Sequence, residues 1–336
     1  MDGLLTEIPA ENDIPTIEDV HAAAARILGF AVRTPILHAH ILDEMAGGRV
    51  LVKAEPLQRT GSFKFRGAYN RLSMIPLEAR SAGVVACSSG NHAQGVAEAA
   101  RLLGMPATIV MPSDAPAIKR GRTQRSGATV VDYDRATQDR DAVTRALADE
   151  LGATLVHPYD DAGVIAGQGT IGLEIAEDCA AAGIRPDVVI VPAGGGGLAA
   201  GTGLAISHAM PGVTLVTAEP EGFDDYARSL AAGRHVANER MSGSLADAIL
   251  TQTPGKRSFA MNHGRYAYGT AVSDDDMLAA VAVAANELKL IVEPGGAAAL
   301  AAVLTRKVDL QGRTAVVVAS GGNIDPAMLA RALGVG

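Results

Sequence analysis

The stretch Asp187-Val188-Val189-Ile190-Val191-Pro192-Ala193-Gly194-Gly195-Gly196-Gly197-Leu198 reads as an apolar strand that runs into four glycines and then opens a helix. Four glycines let backbone N–H groups close around a phosphate at the positive end of that helix, although the same loop would also suit a close strand-to-helix packing turn. Outward from it, strand-like runs recur at Arg49–Lys53, Val84–Cys87, Ala107–Met111, Ala128–Val131, Val213–Ala218 and Thr314–Ala319. Helical patterns alternate with them, among them Ser62–Met74 and a helix that Thr16 and Asp19 open with a capping box and that runs to about Leu28. This alternation predicts an α/β chain with parallel sheets and helices on both faces. Residues 1–15 read as a loose arm. No internal repeat or linker stands out.

Composition narrows the function. The 336 residues are 48% apolar, so a sizeable core is available, yet tryptophan is absent and aromatics make up 3%, which leaves Ala, Val, Leu and Ile to fill it. A formal charge of -8 argues against a nucleic-acid partner. No apolar run reaches the roughly 18 residues of a membrane span, and the acidic amino terminus does not read as a signal peptide. Only Cys87 and Cys179 are present, too few for a disulfide framework. A cytoplasmic protein is expected.

Ligands of parallel α/β sheets sit at the carboxyl ends of strands. That rule directs attention to Ser88-Ser89-Gly90-Asn91-His92, the glycine run, Glu219-Pro220 and Ser320-Gly321-Gly322-Asn323. One reading is a dinucleotide loop, since Gly195-Gly196-Gly197 with Gly201 loosely imitates the glycine fingerprint and Glu219 ends the next strand, where a ribose-binding acid would stand. Against it stands Thr60-Gly61-Ser62-Phe63-Lys64-Phe65-Arg66-Gly67-Ala68, for which a nicotinamide enzyme has no use.

At that segment the chain resembles the serine/threonine dehydratases and serine racemases, pyridoxal-phosphate (PLP) enzymes of the tryptophan-synthase-β-like fold (fold type II), from about Thr16 to the carboxyl end. The resemblance implies two open parallel-sheet domains with the active site in the cleft between them: residues 1–80 plus 160–336 as the large one, and 81–159 as a smaller one inserted in it that closes on substrate. It makes Lys64 the Schiff-base lysine and the base at Cα, and Phe63 a packing partner of the cofactor ring. Asn91 would bond the cofactor's phenolic oxygen, Gly194, Gly195, Gly196 and Gly197 would form the phosphate cup, and Ser320 would face the pyridine nitrogen. Ser88, Ser89, Gly90, Asn91 and His92 would hold the substrate carboxylate, with Ser89 the residue that racemases use as opposite-face acid or base. Glu219, Phe223 and Asp225 match a segment that in some members holds magnesium or calcium, oxygen-ligand chemistry; the plain alternative is a strand end and an acidic helix start.

The activity implied is that of an ammonia-lyase that eliminates water and then ammonia from L-threonine or L-serine, giving 2-oxobutanoate or pyruvate. A homodimer without a carboxyl-terminal regulatory domain is expected. Arg140 motivates a rival substrate, 3-hydroxyaspartate, because the position resembles one where racemases turn an arginine toward the site; a helix-surface arginine is the plain alternative. A serine racemase and a non-catalytic PLP-binding protein are the other readings.

Overall fold

The computed structural model describes residues 14–115, 117–134 and 136–335. The arm expected over residues 1–15 therefore lies, apart from 14 and 15, outside the described residues. Ten strands are formed among them: β1 (Ile36–His38), β2 (Arg49–Ala54), β3 (Val84–Cys87), β4 (Ala107–Pro112), β5 (Thr129–Tyr133), β6 (Thr154–Leu155), β7 (Val188–Pro192), β8 (Thr214–Pro220), β9 (Tyr268–Val272) and β10 (Thr314–Ala319). They make two sheets, β1-β2-β10-β7-β8-β9 and β5-β4-β3-β6. Every pairing is parallel except that of the edge strand β1 with β2. The central strands are continuous apolar runs because both faces are covered by helices: β7 is buried along its whole length, and β10 along all but its first residue.

The capping box at Thr16 forms, with the Asp19 carboxylate accepting from the Thr16 backbone N–H at 2.9 Å, and its helix runs Ile17–Ile27. The helix expected over Ser62–Met74 runs Lys64–Ser73, so Lys64 is its first residue. Small residues let the helices approach closely. A Cβ on Gly167 would stand 2.6 Å from Gly67 Cα, and one on Gly201 would stand 2.5 Å from Gly169 N. Gly201 thus serves helix–helix packing, which accounts for its place in the false dinucleotide fingerprint.

A buried ion network joins helix 64–73 to the large sheet and to the helix Ala162–Ala181. Arg66, fully buried, donates from Nε and Nη2 to the two carboxylate oxygens of Glu55 at 2.9 and 2.8 Å, and from Nη1 to Glu174 at 2.6 Å. Lys53, also fully buried, donates to Glu174 and to the Thr34 carbonyl, each at 2.6 Å. Burial works against the charge on Glu174, but Arg66 and Lys53 outweigh it and hold its carboxyl below the usual range. Removing one partner of such a set leaves a buried charge without compensation, which costs roughly 3–5 kcal/mol. Arg66→Met is therefore expected to lower stability by about that amount, read as a fall in the urea midpoint at unchanged slope; a loss below ~1 kcal/mol would mean that water or a rearranged Lys53 takes over.

Candidate active site

The glycine run crosses from the end of β7 to the helix Gly197–Ala209, and Gly196 adopts a left-handed φ of 87° that only glycine takes without strain. The loop is also tightly packed. A Cβ on Gly194 would stand 2.8 Å from the Ile249 carbonyl, and one on Gly195 or Gly196 would run into the rings of Tyr159 or Tyr226. Among the described residues, no protein acceptor takes the N–H of Gly194, Gly195 or Gly196. Three unpaired backbone donors at a helix start are what a phosphate needs, so the loop fits that group as well as serving as a packing turn.

Lys64 heads its helix from a kinked approach in which Thr60 (φ 65°) and Gly61 (φ 76°) are both left-handed. That approach is stitched to the loop after β10: the Phe63 N–H donates to the Ser320 carbonyl at 3.0 Å, and the Gly322 N–H to Gly61 O at 2.8 Å. The Lys64 ammonium donates to the Pro158 carbonyl at 2.7 Å and lies 5.1 Å from the centre of the Phe63 ring. Burial takes it down to about 8, with Glu293 pulling the other way.

The loop after β3 leads into the helix Asn91–Leu103. Asn91 is held from both sides, donating to Glu293 Oε1 at 2.5 Å and accepting from Asn323 Nδ2 at 2.7 Å. Ser88 Oγ accepts from the Gly90 N–H at 3.1 Å. His92 meets the Val156 carbonyl through Nε2 at 3.1 Å, so that nitrogen carries the proton, while its buried Nδ1 has no partner. Burial, and next the charge of Lys64, push His92 down to about 3, so the ring is neutral at working pH.

Phe63, Lys64, Ser88, Ser89, Gly90, Asn91, His92, Arg140, Gly194, Gly195, Gly196, Gly197 and Ser320 all line one cleft of about 480 Å³ at the carboxyl ends of β3, β7 and β10. This is the size of a small-molecule site. Arg140, the first residue of the helix Arg140–Leu151, faces the cleft with its side chain half exposed, and its Nε donates to Asp141 at 3.0 Å. Glu219, Phe223 and Asp225 lie elsewhere. The Glu219 carboxylate accepts from the N–H groups of Tyr226 and Ala227 at 2.8 and 2.7 Å, capping the helix Asp225–Ala232, and Asp225 accepts from Asn238 at 2.6 Å. Both acids are fully buried. Burial pushes Asp225 up to about 7, and burial followed by the nearby Asp225 pushes Glu219 well above the usual range. Two buried carboxylates that repel each other suit a hard cation, and the capping bonds show that the helix-start alternative is present too.

The sequence reading missed Glu293, Tyr159 and Arg122, which line the same cleft, and gave no role to Asn323 at the end of the segment it singled out after β10. Glu293 had a signal: it directly precedes Pro294, the first residue of the helix Pro294–Leu304, at the end of a loop beside the strands' carboxyl ends.

The pyridoxal-phosphate dependent enzyme family matches residues 27–321. A Pseudomonas L-threo-3-hydroxyaspartate ammonia-lyase is 43% identical over 312 residues, covering 93% of this chain and 96% of its own length. A Thermotoga maritima L-threonine ammonia-lyase is 40% identical over 96% of this chain and 79% of its own length. The crystal structure of a T.th. threonine deaminase superposes with a TM-score of 0.88 at 42% identity, covering 93% of this chain and 99% of that one. With its lysine, glycine run and asparagine gathered in one cleft and these likenesses spanning nearly its whole length, the chain belongs to the pyridoxal-phosphate dependent enzyme family.

Proposed function

We propose that this chain is an ammonia-lyase for small β-hydroxy amino acids, and that its cleft suits 3-hydroxyaspartate better than threonine or serine. The observation that carries the preference is Arg140 facing the cleft; a guanidinium there could pair with a second substrate carboxylate in a forked geometry. The Pseudomonas relative named for that substrate supports it, and the Thermotoga relative supports the threonine reading.

In this reading the N–H groups of Gly194–Gly196 hold the cofactor phosphate, and Asn91 is kept in place by Glu293 and Asn323. Bound pyridoxal phosphate supplies the electron sink that lets the bonds at Cα and Cβ break. The Lys64 amine, held down to about 8 by burial, moves the Cα proton. The Ser88–Gly90 loop and the start of helix 91–103 receive the substrate α-carboxylate, and residues 81–159 move as a unit to shut out water.

Lys64→Ala is expected to abolish ammonia release and the visible absorbance of the bound cofactor; an active Lys64→Ala protein would sink the reading. Arg140→Ala is expected to lower kcat/KM for 3-hydroxyaspartate about tenfold while leaving threonine and serine nearly unchanged. The effect stays modest because the side chain is half exposed and Asp141 already shares it. An equal response of all three substrates would return the assignment to threonine and serine.

Glu219 and Asp225, with the backbone carbonyl of Phe223, are proposed to hold magnesium or calcium away from the chemistry. Either ion is then expected to raise the Tm of chelator-stripped protein, with about 2.7 kcal/mol of stabilisation at 100-fold above its Kd. Asp225→Asn, which keeps an acceptor for Asn238, should erase that rise; an equal rise in the variant would place the ion elsewhere.

A further inference from the structure

We propose that His38, His40 and Asp43 form a surface site for a divalent transition-metal ion of the zinc class. One ligand atom from each lies within 4.8 Å of the other two, the one such group of three His, Cys, Asp or Glu side chains among the described residues. The arrangement follows from local structure. His38 ends the edge strand β1, His40 opens the short helix His40–Ala46, and Asp43 lies in that helix's first turn. Ala39 between them is extended (φ -144°, ψ 134°), so the side chains of His38 and His40 project to the same side, and their rings meet edge to face with centroids 5.1 Å apart.

Asp43 is already aimed. Its Oδ1 accepts from the Val50 N–H of β2 at 2.8 Å, which turns Oδ2 toward His38 Nε2, also at 2.8 Å. A carboxylate fixed by a backbone donor is the kind of outer support that orients metal ligands. Two imidazole nitrogens and one carboxylate oxygen make a borderline donor set. It favours zinc, nickel, cobalt or copper over magnesium and calcium, and leaves positions open for water. The ion would take the place of the hydrogen bond between His38 and Asp43, and would pin β1, which pairs with β2 alone among the described strands, to the helix that follows it.

The site is remote from the chemistry. β1 runs antiparallel to β2 with His38 opposite Leu51, near the amino end of β2, whereas the cleft lies at the carboxyl ends of the parallel strands. Metal binding here is therefore separable from turnover and from the Glu219–Asp225 pair.

The test is calorimetric titration of zinc chloride into cofactor-loaded, chelator-stripped enzyme, with thermal melting alongside. The wild type is expected to bind one equivalent of zinc that His40→Ala loses, and to gain a Tm shift that the variant lacks. Asp43→Asn, which retains the acceptor for Val50, should weaken binding about tenfold or more. The visible cofactor absorbance and ammonia release of His40→Ala should match the wild type. Equal zinc affinity and stoichiometry in wild type and His40→Ala, or no zinc bound by the wild type, would overturn the proposal.

Discussion

The buried guanidinium of Arg66 is the constraint on which the rest of the structure depends. It stands two residues after Lys64 and is clamped between Glu55, which follows β2, and Glu174 on helix 162–181. A charge in that position is tolerable only with its partners in place, so three elements are fixed relative to one another at the point where Lys64 enters the cleft. The contact of Gly67 with Gly167 repeats the constraint sterically, because no side chain fits at either position. The other side of Lys64 is held by the bonds that tie Gly61 and Phe63 to the loop after β10. The lysine is thus held on both flanks of its backbone, and its ammonium reaches across to the Pro158 carbonyl.

Charge is distributed unevenly across the cleft. Lys64 and Glu293 face each other in its interior, and His92 beside them is held neutral. Two arginines line the same cleft: Arg122, which donates to Asn323 at 3.1 Å, and Arg140. Their guanidiniums attract carboxylates, whereas a charged His92 would have opposed the ammonium of Lys64. Glu293, Asp141 and Asp247 line the cleft as well, so its three cationic side chains, Lys64, Arg122 and Arg140, are matched in number by three acids.

The fold was legible where strands are central. β3 and β10 were expected at their observed limits, because buried parallel strands are short apolar runs with sharp ends. The strands β1, β6 and β9 were not legible. β6 has two residues, and the edge strands β1 and β9 are mostly half-buried or exposed, so none of them needs the apolar run that marks a strand. In the site, Lys64, Asn91 and the glycine run stood out as local motifs. Glu293, Tyr159 and Asn323 act through partners far away in the chain, such as Asn91 and Thr60, and no local pattern records such pairings.

The glycine run shows why one of the sequence's alternatives could not be decided by spacing. A phosphate cup and a packing turn both require the absence of a side chain, and this loop meets both demands at once. Tyr159, Tyr226 and Ile249 press on the positions where Cβ atoms would stand, and this fixes the backbone with the N–H groups of Gly194–Gly196 unpaired. Backbone donors held in place before an anion arrives need no reorganisation when it binds, whereas a looser loop would lose affinity to its own ordering. Packing is therefore what leaves the loop fit for an anion, and a substitution that only enlarged one of these glycines would disturb the fold and the unpaired N–H groups through the same displacement.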